Sequence, residues 1–493
     1  MILSSLLSHV GYIRIRGSSQ TEVTGITCDS REVRPGTMFV CIPGIHKDGH
    51  EFARQAIGAG ASVVVMEEGN PIAKKEEKSI SGTASVVLVA SARKAFSYLS
   101  AAFYGYPLRS MVSVAITGTK GKTTTAYMIH GILCGAGIKA GLIGTNGAFV
   151  DGRKLELSHT TPEAHELQRI LWQMKDAGCT HVVMEVSSQG FKMERVAGLR
   201  FTYGIFTNLS QDHIGPGEHE SFEDYLYQKS RLFTSCDVGI VNRDDMWVKE
   251  MTARATCRLV TFGMGEADYQ ASPPVFYKDS HMLGCEYQLS GKEEASVFLP
   301  LPGEYNVKNS LAAIAAADQM GISAQTAREA LREIHVPGRM EVVSGNNHLW
   351  VIVDYAHNEV SMENLLQTLK AYEPRDLICV FGCGGNRSRL RRFGMGRAAG
   401  KWADVSVITA DNSRYEPVES IIQDIEKGFQ ETEGRYVVIP DRREAIAYAV
   451  SHGKKGDIIA IIGKGHEDYQ EANGKRIHFS DREEAEKALV KYK

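Results

Sequence analysis

Residues 111–128 read MVSVAITGTKGKTTTAYM, and this stretch decides the fold of the chain around it. The apolar run Met111–Thr117 is typical of a buried strand, and helix-forming residues begin at Ala126. Between them, Gly118 and Gly121 allow the backbone to curl, so that successive N–H groups face one anion. The helix that follows presents its positive dipole end to the same point. The stretch therefore predicts a phosphate-binding loop between a strand and a helix.

The side chains of this loop suit ATP and magnesium. Lys122 is spaced to reach the outer phosphates, and the hydroxyl of Thr123 or Thr124 is spaced to bind Mg²⁺. The loop is shorter than the usual GxxxxGK[ST] motif, because Ile116 stands where that motif has its first glycine. Thr123 is the predicted metal ligand. The predicted ATP-binding residues are Gly118, Thr119, Lys120, Gly121, Lys122, Thr123 and Thr124.

Size and composition restrict the class of protein. With 493 residues the chain is too long for one core, and about three domains are expected. A net charge of −3 argues against binding nucleic acid or membranes through bulk electrostatics. The nine cysteines include no CxxC pair, which is typical of reduced thiols in a cytoplasmic protein. We expect a cytoplasmic monomer without a signal peptide or a membrane-spanning segment.

Three blocks of alternating strands and helices follow one another along the chain. The first, residues 1–107, includes the polar segment Lys74–Thr83, which is predicted to be a surface loop. The second, residues 108–335, opens with the strand of the phosphate loop. The third, residues 336–493, begins near the linker Val-Pro-Gly-Arg. Near-continuous apolar strands between helices predict an α/β fold of three domains, with a central parallel-sheet ATPase domain and a Rossmann-like C-terminal domain.

Polar residues follow two further strands of the second block. Glu185 lies in the predicted strand His181–Val186, and His213 follows the strand Tyr203–Thr207. The carboxyl ends of parallel strands share one edge of a sheet, so both residues are expected beside the phosphate loop. A carboxylate and an imidazole there suit a second Mg²⁺ near the transferred phosphoryl group. Structural roles stay open for both, as a solvated acid and as a turn residue.

Several other polar residues are candidates for the nucleotide site. Amide side chains can read the adenine edge but are also common where helices start. Arginine suits a γ-phosphate as a fixed cation. These candidates are Asn306, Asn309, Arg339, Asp354 and His357. By contrast, Lys229 is expected to be a surface lysine, because a single lysine on an amphipathic helix is usually solvated.

Polar clusters at the strand ends of the third block predict a site for a small zwitterion. Guanidinium groups match carboxylates, and acidic groups match an ammonium group. The clusters are Gly382–Arg387, Asp411–Arg414 and Gly463–Asp468. The run Arg387–Arg397 contains five arginines and by itself is more often a solvated basic face. The residues alone indicate an ATP-dependent enzyme whose third domain closes over a small polar substrate.

Taken in order, these segments resemble the Mur ligases. They are most similar to the MurE type, which adds the third amino acid to UDP-N-acetylmuramoyl-L-alanyl-D-glutamate. The motifs that carry the resemblance are Asp29–Phe39, GTKGKTTT, Thr160–Pro162, Glu185–Ser188, Asn208–His213, Asp354–His357 and Gly463–Gln470. The resemblance implies an N-terminal UDP-binding domain, a central ATP-binding domain and a C-terminal domain that binds an amino acid.

The resemblance also implies roles for individual residues. Lys229 is implied to be carbamylated and to bind Mg²⁺ together with Glu185 and His213. The residues implied to bind the UDP-muramoyl dipeptide are Ser30, Thr160, Thr161, Ser187 and Arg195. Those implied to bind meso-diaminopimelate are Arg387, Asp411, Asn412, Ser413, Arg414, Gly463 and Glu467. Arg414 matters most, because the second carboxylate of diaminopimelate needs a cation and lysine has no such group.

The chain departs from the family pattern at four places. Ser413 replaces a proline, Gln189-Gly190 replaces His-Ala, Met193 replaces a glutamine, and Asn358-Glu359 replaces Thr-Pro. Serine lacks the fixed φ of proline, so the orientation of the following arginine is less constrained. A paralogue that adds L-lysine or another amino acid is therefore an alternative.

The predicted reaction is ATP-dependent amide bond formation through an acyl phosphate, in peptidoglycan precursor synthesis. Lys122, Arg339 and Mg²⁺ would offset the charge of the transferred phosphoryl group. Two other classes stay open. A folylpolyglutamate synthase-like ligase would share the ATP loop, although the segment Asp29-Ser-Arg31 argues against it. A nucleotide-switched binding protein would hydrolyse ATP to move its domains without joining an amino acid.

Overall fold

The structure is a computed structural model, and it describes residues 1–44, 47–80, 82, 84–212, 214–215, 218–278, 283–343 and 349–492, without the side chain of Lys78. The chain divides into two compact units, Met1–Thr261 and Phe262–Lys493. The three-domain boundaries after residues 107 and 335 stay a prediction. Among the described residues, none of the helices has the length and apolar character needed to cross a membrane.

The first unit contains two sheets covered by helices. Its strands are β1 Tyr12–Arg16, β2 Gly25–Thr27, β3 Thr37–Val40, β4 Val63–Glu67, β5 Ser85–Val89, β6 Val112–Thr117, β7 Ala140–Gly144, β8 Gly147–Val150, β9 Arg153–Leu155, β10 His181–Glu185, β11 Phe201–Phe206 and β12 Cys236–Asn242. Its helices are α1 Leu3–Leu6, α2 Ala53–Gly58, α3 Pro71–Ser79, α4 Ala92–Phe103, α5 Lys122–Gly135, α6 Ala164–Asp176, α7 Ser188–Lys192, α8 Phe222–Ser230 and α9 Val248–Thr252. Strand β13, Arg258–Gly263, crosses the division between the units.

Parallel pairing sets the position of the site in this unit. The smaller sheet has the order β1-β5-β4-β3-β2, and only β1 is antiparallel. The larger sheet includes β12-β11-β6-β10-β7, all parallel, followed by the antiparallel β8 and β9. Glu185 pairs with Ile116 and Phe206 pairs with Thr117, so β10, β11 and β6 end side by side.

The second unit is built on a mostly parallel sheet. Its strands are β14 Tyr269–Ala271, β15 Val275–Lys278, β16 Leu283–Gly291, β17 Ala295–Leu299, β18 Glu341–Val343, β19 Trp350–Asp354, β20 Leu377–Phe381, β21 Val405–Ile408, β22 Tyr436–Val438, β23 Ile458–Ile462, β24 Tyr469–Ala472 and β25 Lys475–His478. Its helices are α10 Glu304–Gln319, α11 Ala324–Arg332, α12 Glu359–Lys370, α13 Arg389–Trp402, α14 Val418–Phe429, α15 Arg442–His452 and α16 Asp481–Lys491.

The sheet of the second unit has the order β18-β19-β23-β20-β21-β22, with β18 antiparallel and the others parallel. One apolar core contains residues of α12, α13 and α14, and a second core contains residues of α15 and α16. Strand residues alternate between the two cores, with Ile352 in the first and Val351 in the second. Helices therefore cover both faces, as the doubly wound pattern predicted.

The prediction of a surface loop over Lys74–Thr83 is wrong for most of the segment. Helix α3 covers Pro71–Ser79, and Ser81 and Thr83 lie outside the described residues. The Asn70 side chain accepts hydrogen bonds from the N–H groups of Ile72 and Ala73, and Pro71 occupies the first helical position. An N-cap followed by proline starts a helix even where apolar residues are few.

A fully buried ion pair connects two strand ends of the second unit. The Arg442 guanidinium donates to both carboxylate oxygens of Asp481 at 2.7 Å. It also donates to the carbonyls of Ala410 at 3.2 Å and Ile462 at 3.0 Å, the residues directly before two of the predicted zwitterion clusters. The pair therefore anchors both clusters to the interior.

Replacement of Arg442 tests this anchor. Arg442→Met leaves the Asp481 carboxylate buried without its cation, which should lower the free energy of unfolding by about 3–5 kcal/mol. The matched control is Arg443→Met, because Arg443 is 62% exposed and pairs with Glu484 at 3.3 Å, so a change within about 0.5 kcal/mol is expected. Urea unfolding of both variants is the measurement, and equal losses would contradict the assignment.

Candidate active site

The phosphate loop has the predicted position between β6 and α5. Gly121 precedes α5 with φ of 85°, and Gly118 has φ of 152°. A Cβ at position 118 would lie 2.0 Å from the Thr207 hydroxyl oxygen. Only glycine fits at this position, because the loop passes directly beside the end of β11.

The residue after β11 holds the loop in its curve. The Asn208 carbonyl accepts from the Thr119 N–H at 2.8 Å, and its side-chain oxygen accepts from the Lys120 N–H at 2.9 Å. The Thr207 hydroxyl donates to the Lys120 carbonyl at 2.7 Å. The sequence analysis placed Asn208 in the motif Asn208–His213 but assigned it no role, although its place directly after a parallel strand was an available signal.

Two lysine amines converge on one carbonyl of the loop. Lys122 Nζ donates to the Gly118 carbonyl at 2.9 Å, and Lys229 Nζ donates to the same oxygen at 2.8 Å. Lys229 is only 1% exposed, so the expectation of a surface lysine is wrong. Helix α8 turns Lys229 inward with Tyr225, whose hydroxyl lies 3.1 Å from that of Thr119. Burial, and then the charge of Lys122, lowers the pKa of the Lys229 amine well below its usual range.

Glu185 is a buried carboxylate and not a solvated acid. It is 1% exposed and accepts hydrogen bonds from the Thr123 hydroxyl at 3.1 Å and the Thr145 N–H at 2.9 Å. A Cβ at Gly144 would lie 2.2 Å from its Oε1, so glycine is needed beside it. The Thr145 hydroxyl also lies 3.1 Å from that of Thr160. Two predicted Mg²⁺ ligands, Thr123 and Glu185, are therefore in contact.

These oxygen donors fit a magnesium ion that keeps most of its ligands from phosphate and water. His213, another predicted ligand, lies outside the described residues. Among the described residues there is no group of three or more His, Cys, Asp or Glu side chains that could hold a metal ion alone.

Three of the residues implied for the dipeptide, Thr161, Ser187 and Arg195, form one hydrogen-bonded chain. The Thr161 hydroxyl donates to the Glu185 carbonyl at 3.1 Å and accepts from the Ser187 N–H at 3.0 Å. The Arg195 guanidinium donates to the Thr161 carbonyl at 3.0 Å. Ser30 is half-buried in the loop after β2, in the other sheet, and no described hydrogen bond joins it to this chain.

In the second unit, three of the predicted nucleotide residues lie together. Asp354 accepts from the N–H groups of Met340 at 2.8 Å and Ala356 at 2.7 Å, which ties the end of β19 to the linker. The Arg339 guanidinium lies 4.6 Å from the centre of the Tyr355 ring. His357 Nδ1 lies 2.9 Å from the Tyr355 carbonyl. Arg339 and His357 therefore both contact Tyr355, the residue that directly follows Asp354.

The two asparagines lie inside a helix and not before it. Helix α10 starts at Glu304 after Gly303, so neither asparagine is the residue that caps its start. Asn306 Nδ2 donates to the Pro302 carbonyl at 2.8 Å, and Asn309 Nδ2 donates to Asn306 Oδ1 at 3.1 Å. Both side chains are buried, and their role in adenine binding stays a prediction.

The strand ends of the second unit bring opposite charges together. Asn412 Nδ2 donates to Glu467 Oε2 at 2.8 Å, and Lys464 Nζ donates to Asn412 Oδ1 at 3.1 Å. Burial raises the pKa of the Glu467 carboxyl, with Lys464 opposing the shift. Gly463 has φ of 121°, and a Cβ there would lie 2.6 Å from Asp411 Oδ2. Asp411, Asn412, Gly463 and Glu467 therefore form one cluster.

Arg414 contacts the loop Gly382–Arg387, which follows β20. Its Nη1 donates to the Gly385 carbonyl at 2.5 Å, and a Cβ at Gly385 would lie 1.8 Å from the carbonyl oxygen of buried Ser413. Arg387 is exposed. In the part of the chain that the structure describes, no salt bridge joins Arg387 or Arg414 to an acidic side chain.

Comparison with known proteins identifies the family. Three family models match in order: "Mur ligase family, catalytic domain" at residues 22–104, "Mur ligase middle domain" at 116–317 and "Mur ligase, glutamate ligase domain" at 338–465. A curated UDP-N-acetylmuramoyl-L-alanyl-D-glutamate–2,6-diaminopimelate ligase from Clostridium perfringens is 38% identical over 493 residues, 98% of each chain. The chain belongs to the Mur ligase family.

Two further relatives agree. A ligase of the same name from Syntrophomonas wolfei is 39% identical over 481 residues, 96% of each chain. A solved structure with that name is 30% identical, with a TM-score of 0.71, and the match covers 100% of this chain and 99% of the other. These comparisons confirm the predicted α/β Mur ligase fold and the prediction of an ATP-dependent, ADP-forming amide ligase in peptidoglycan synthesis.

In this Mur ligase the run Arg387–Arg397 is only partly a solvated basic face, because Arg387, Arg389 and Arg397 are exposed but three of its five arginines pair with acidic side chains. Arg389 pairs with Asp424 at 2.5 Å. Arg392 is buried and pairs with Glu416 at 2.9 Å. Arg397 pairs with Glu359 at 2.8 Å. The acids come from α12, from α14 and from the segment before α14, so the arginines hold the helices together.

His219 is a buried histidine of this Mur ligase that no sequence motif predicted. His219 Nε2 lies 2.9 Å from the Ser188 hydroxyl, and its Nδ1 lies 2.8 Å from Asp224 Oδ2. Lys192 Nζ donates to the same carboxylate oxygen at 2.9 Å. The histidine therefore joins α7 to α8, the helix that carries Lys229. No motif marked it, because its partners lie up to 31 residues away along the chain.

Substitution of Gly118 tests the geometry of the loop. Gly118→Ala places a methyl group against Thr207, so the loop must shift and affinity for ATP should fall by roughly tenfold or more. Calorimetric titration with ATP measures it. Gly137→Ala is the control, because Gly137 also has positive φ, 75°, but its Cβ would meet no atom within 4 Å. Unchanged ATP affinity in Gly118→Ala would contradict the site.

Proposed function

We propose that this Mur ligase adds meso-diaminopimelate to UDP-N-acetylmuramoyl-L-alanyl-D-glutamate, with ATP and Mg²⁺ as cosubstrate and cofactor. The observation that carries the proposal is the Arg414 guanidinium, which has no acidic partner in the described part of the chain, on a loop that also presents Asp411 and Asn412. A ligand with one ammonium group and an additional carboxylate matches this arrangement. The near-full-length relatives carry the same substrate in their names.

The first unit supports the ATP half of the reaction. The D-glutamyl γ-carboxylate attacks the γ-phosphorus of ATP, which forms an acyl phosphate and releases ADP. The Lys122 amine at the Gly118 carbonyl supplies positive charge where the phosphates would lie. Glu185 and the Thr123 hydroxyl would hold the Mg²⁺, which offsets charge on the phosphoryl group.

The second unit supports the amine half. An amine of the diamino acid attacks the acyl carbon, phosphate leaves, and the nitrogen loses a proton as the amide forms. Glu467 and Asp411 would bind an ammonium group of this substrate, and Arg414 would bind its distal carboxylate. The predicted roles of Asn306, Asn309, Arg339, Asp354 and His357 toward the nucleotide stay predictions, as do those of Ser30, His213, Arg387 and Ser413.

The other candidate classes have less support. A folylpolyglutamate synthase-like ligase does not explain the match of residues 22–104 to a Mur ligase family model. A nucleotide-switched binding protein does not explain the zwitterion cluster around Asn412. A paralogue that adds L-lysine keeps the ATP loop but leaves Arg414 without a ligand carboxylate. Cytoplasmic location, a monomeric state and the absence of nucleic-acid binding stay predictions.

Phosphate release tests the proposed reaction. With ATP, Mg²⁺ and UDP-N-acetylmuramoyl-L-Ala-D-Glu, we expect turnover with meso-diaminopimelate and a rate with L-lysine lower by about 100-fold or more, because the half-buried Arg414 guanidinium then lacks a carboxylate partner. Lys122→Ala should abolish turnover. Equal rates with both amino acids would point to a paralogue, and turnover without any amino acid would support the nucleotide-switched protein.

We further propose that Lys229 is carbamylated in the active enzyme. Its amine is buried beside the phosphate loop, and a neutral amine is the form that reacts with carbon dioxide. A carbamate would replace this buried amine near Gly118 with an anionic oxygen donor for Mg²⁺, close to the oxygen donors Thr123 and Glu185. It would also place a negative charge beside the Lys122 amine, which donates to the same carbonyl.

Carbon-13 NMR tests this modification. Enzyme equilibrated with ¹³C-bicarbonate should show one carbamate resonance in the wild type and none in Lys229→Met. Lys192→Met is the control, because Lys192 lies on neighbouring α7 and pairs with Asp224 at 2.9 Å. A wild-type spectrum without the resonance, or a resonance that persists in Lys229→Met, would contradict the proposal.

A further inference from the structure

A small hairpin forms hydrogen bonds with the main chain of Arg414. Strands β24 and β25 form an isolated antiparallel pair, joined by Asn473 and Gly474. The Arg414 N–H donates to the Glu471 carbonyl at 3.1 Å, and the Arg414 carbonyl accepts from the Asn473 N–H. Arg414 and Ala472 accordingly form a parallel β-bridge. Both polar groups of the arginine backbone are thus bound by the hairpin.

The hairpin also contacts the neighbours of Arg414. The Glu471 N–H donates to Asn412 Oδ1 at 3.0 Å, which adds to the hydrogen bonds that already fix this amide. At the turn, a Cβ on Gly474 would lie 2.9 Å from the Tyr415 hydroxyl. The hairpin therefore follows the cluster from Asn412 to Tyr415.

These hydrogen bonds are important for the loop because the backbone of Arg414 adopts an uncommon conformation. Its φ is 53°, in the left-handed region that residues other than glycine rarely adopt and that costs free energy unless the surroundings impose it. The residue before it is Ser413, which does not restrict the backbone as proline would. The two backbone hydrogen bonds to the hairpin supply a constraint from outside the loop.

We infer that the hairpin Tyr469–His478 is a positioning element that selects a diamino acid with a distal carboxylate by holding Arg414 in place. This inference rests on the proposed function. A guanidinium on a long side chain discriminates a carboxylate only when its backbone is fixed, because otherwise ordering the side chain consumes the binding free energy. The hairpin residues do not need to touch the substrate, since they act through Arg414.

A substitution at the turn separates this role from the chemistry. Asn473 and Gly474 have φ of 49° and 72°, as a two-residue type I′ turn requires. Gly474→Val disfavours that turn, because a β-branched residue rarely adopts a positive φ, so the hairpin should hold the Arg414 backbone less firmly. We expect the KM for meso-diaminopimelate to rise roughly tenfold, with kcat and the KM for ATP unchanged. The preference over L-lysine should fall by the same factor, because lysine has no distal carboxylate.

Two further variants control for strain and folding. Gly321→Val adds the same side chain at φ of 78° in open space within the same unit, and its kinetic constants should match the wild type. Gly474→Asn should keep the low KM, because asparagine tolerates left-handed φ. Thermal midpoints confirm that each variant is folded.

The outcomes distinguish a failure of the proposed function from a failure of the inference about the hairpin. Wild-type enzyme that fails to turn over meso-diaminopimelate refutes the proposed function, and the inference about the hairpin falls with it. Turnover by the wild type with an unchanged KM in folded Gly474→Val refutes only the hairpin. An equal rise of KM in Gly321→Val would also overturn it, since backbone strain alone would then explain the effect.

Discussion

Parallel strand pairing is the constraint on which both units depend. Parallel neighbours end at the same edge of a sheet, so loops that are distant in sequence must meet there. In the first unit, β6, β10 and β11 end in the phosphate loop, at Glu185 and next to Asn208. In the second unit, β20, β21 and β23 end next to the three clusters of the predicted zwitterion site. The predicted site residues lie together at these edges because neighbouring parallel strands end there side by side.

Close backbone approach at these edges requires glycine. The same edges also contain buried charged side chains. Gly118, Gly144, Gly385 and Gly463 each lie where a Cβ would come within 2.6 Å of a neighbouring oxygen. Buried ionic groups such as Lys229 and Arg442 carry a desolvation cost that must be offset by specific partners. Arg442 has a full set of such partners, whereas Lys229 shares one carbonyl with Lys122. Arg442 therefore has a structural role, whereas the poorly compensated Lys229 amine is the kind of group that takes part in a reaction.

Much of the fold was predictable from local pattern. The predicted strands Met111–Thr117, His181–Val186 and Tyr203–Thr207 agree with β6, β10 and β11 to within two residues at each end. Short polar or edge elements were not: α3 depends on a single Asn-Pro cap, and the hairpin of β24 and β25 has only four residues per strand. Such elements bury little apolar surface and so leave a weak periodic signal. Motif residues of the site were found, while the supporting role of Asn208 and the buried His219 were missed because both depend on tertiary contacts.

The sequence by itself determined the α/β class, the phosphate loop and the Mur ligase resemblance, because these depend on neighbours along the chain. Tertiary structure alone decided the environment of the key side chains. Lys229 becomes a buried amine because α8 packs it against a carbonyl 111 residues away, which no helical pattern can reveal. Arg414 likewise receives its backbone constraint from a hairpin that begins 55 residues later in the chain. Burial and orientation are long-range properties, since they depend on which surfaces meet and not on local propensity.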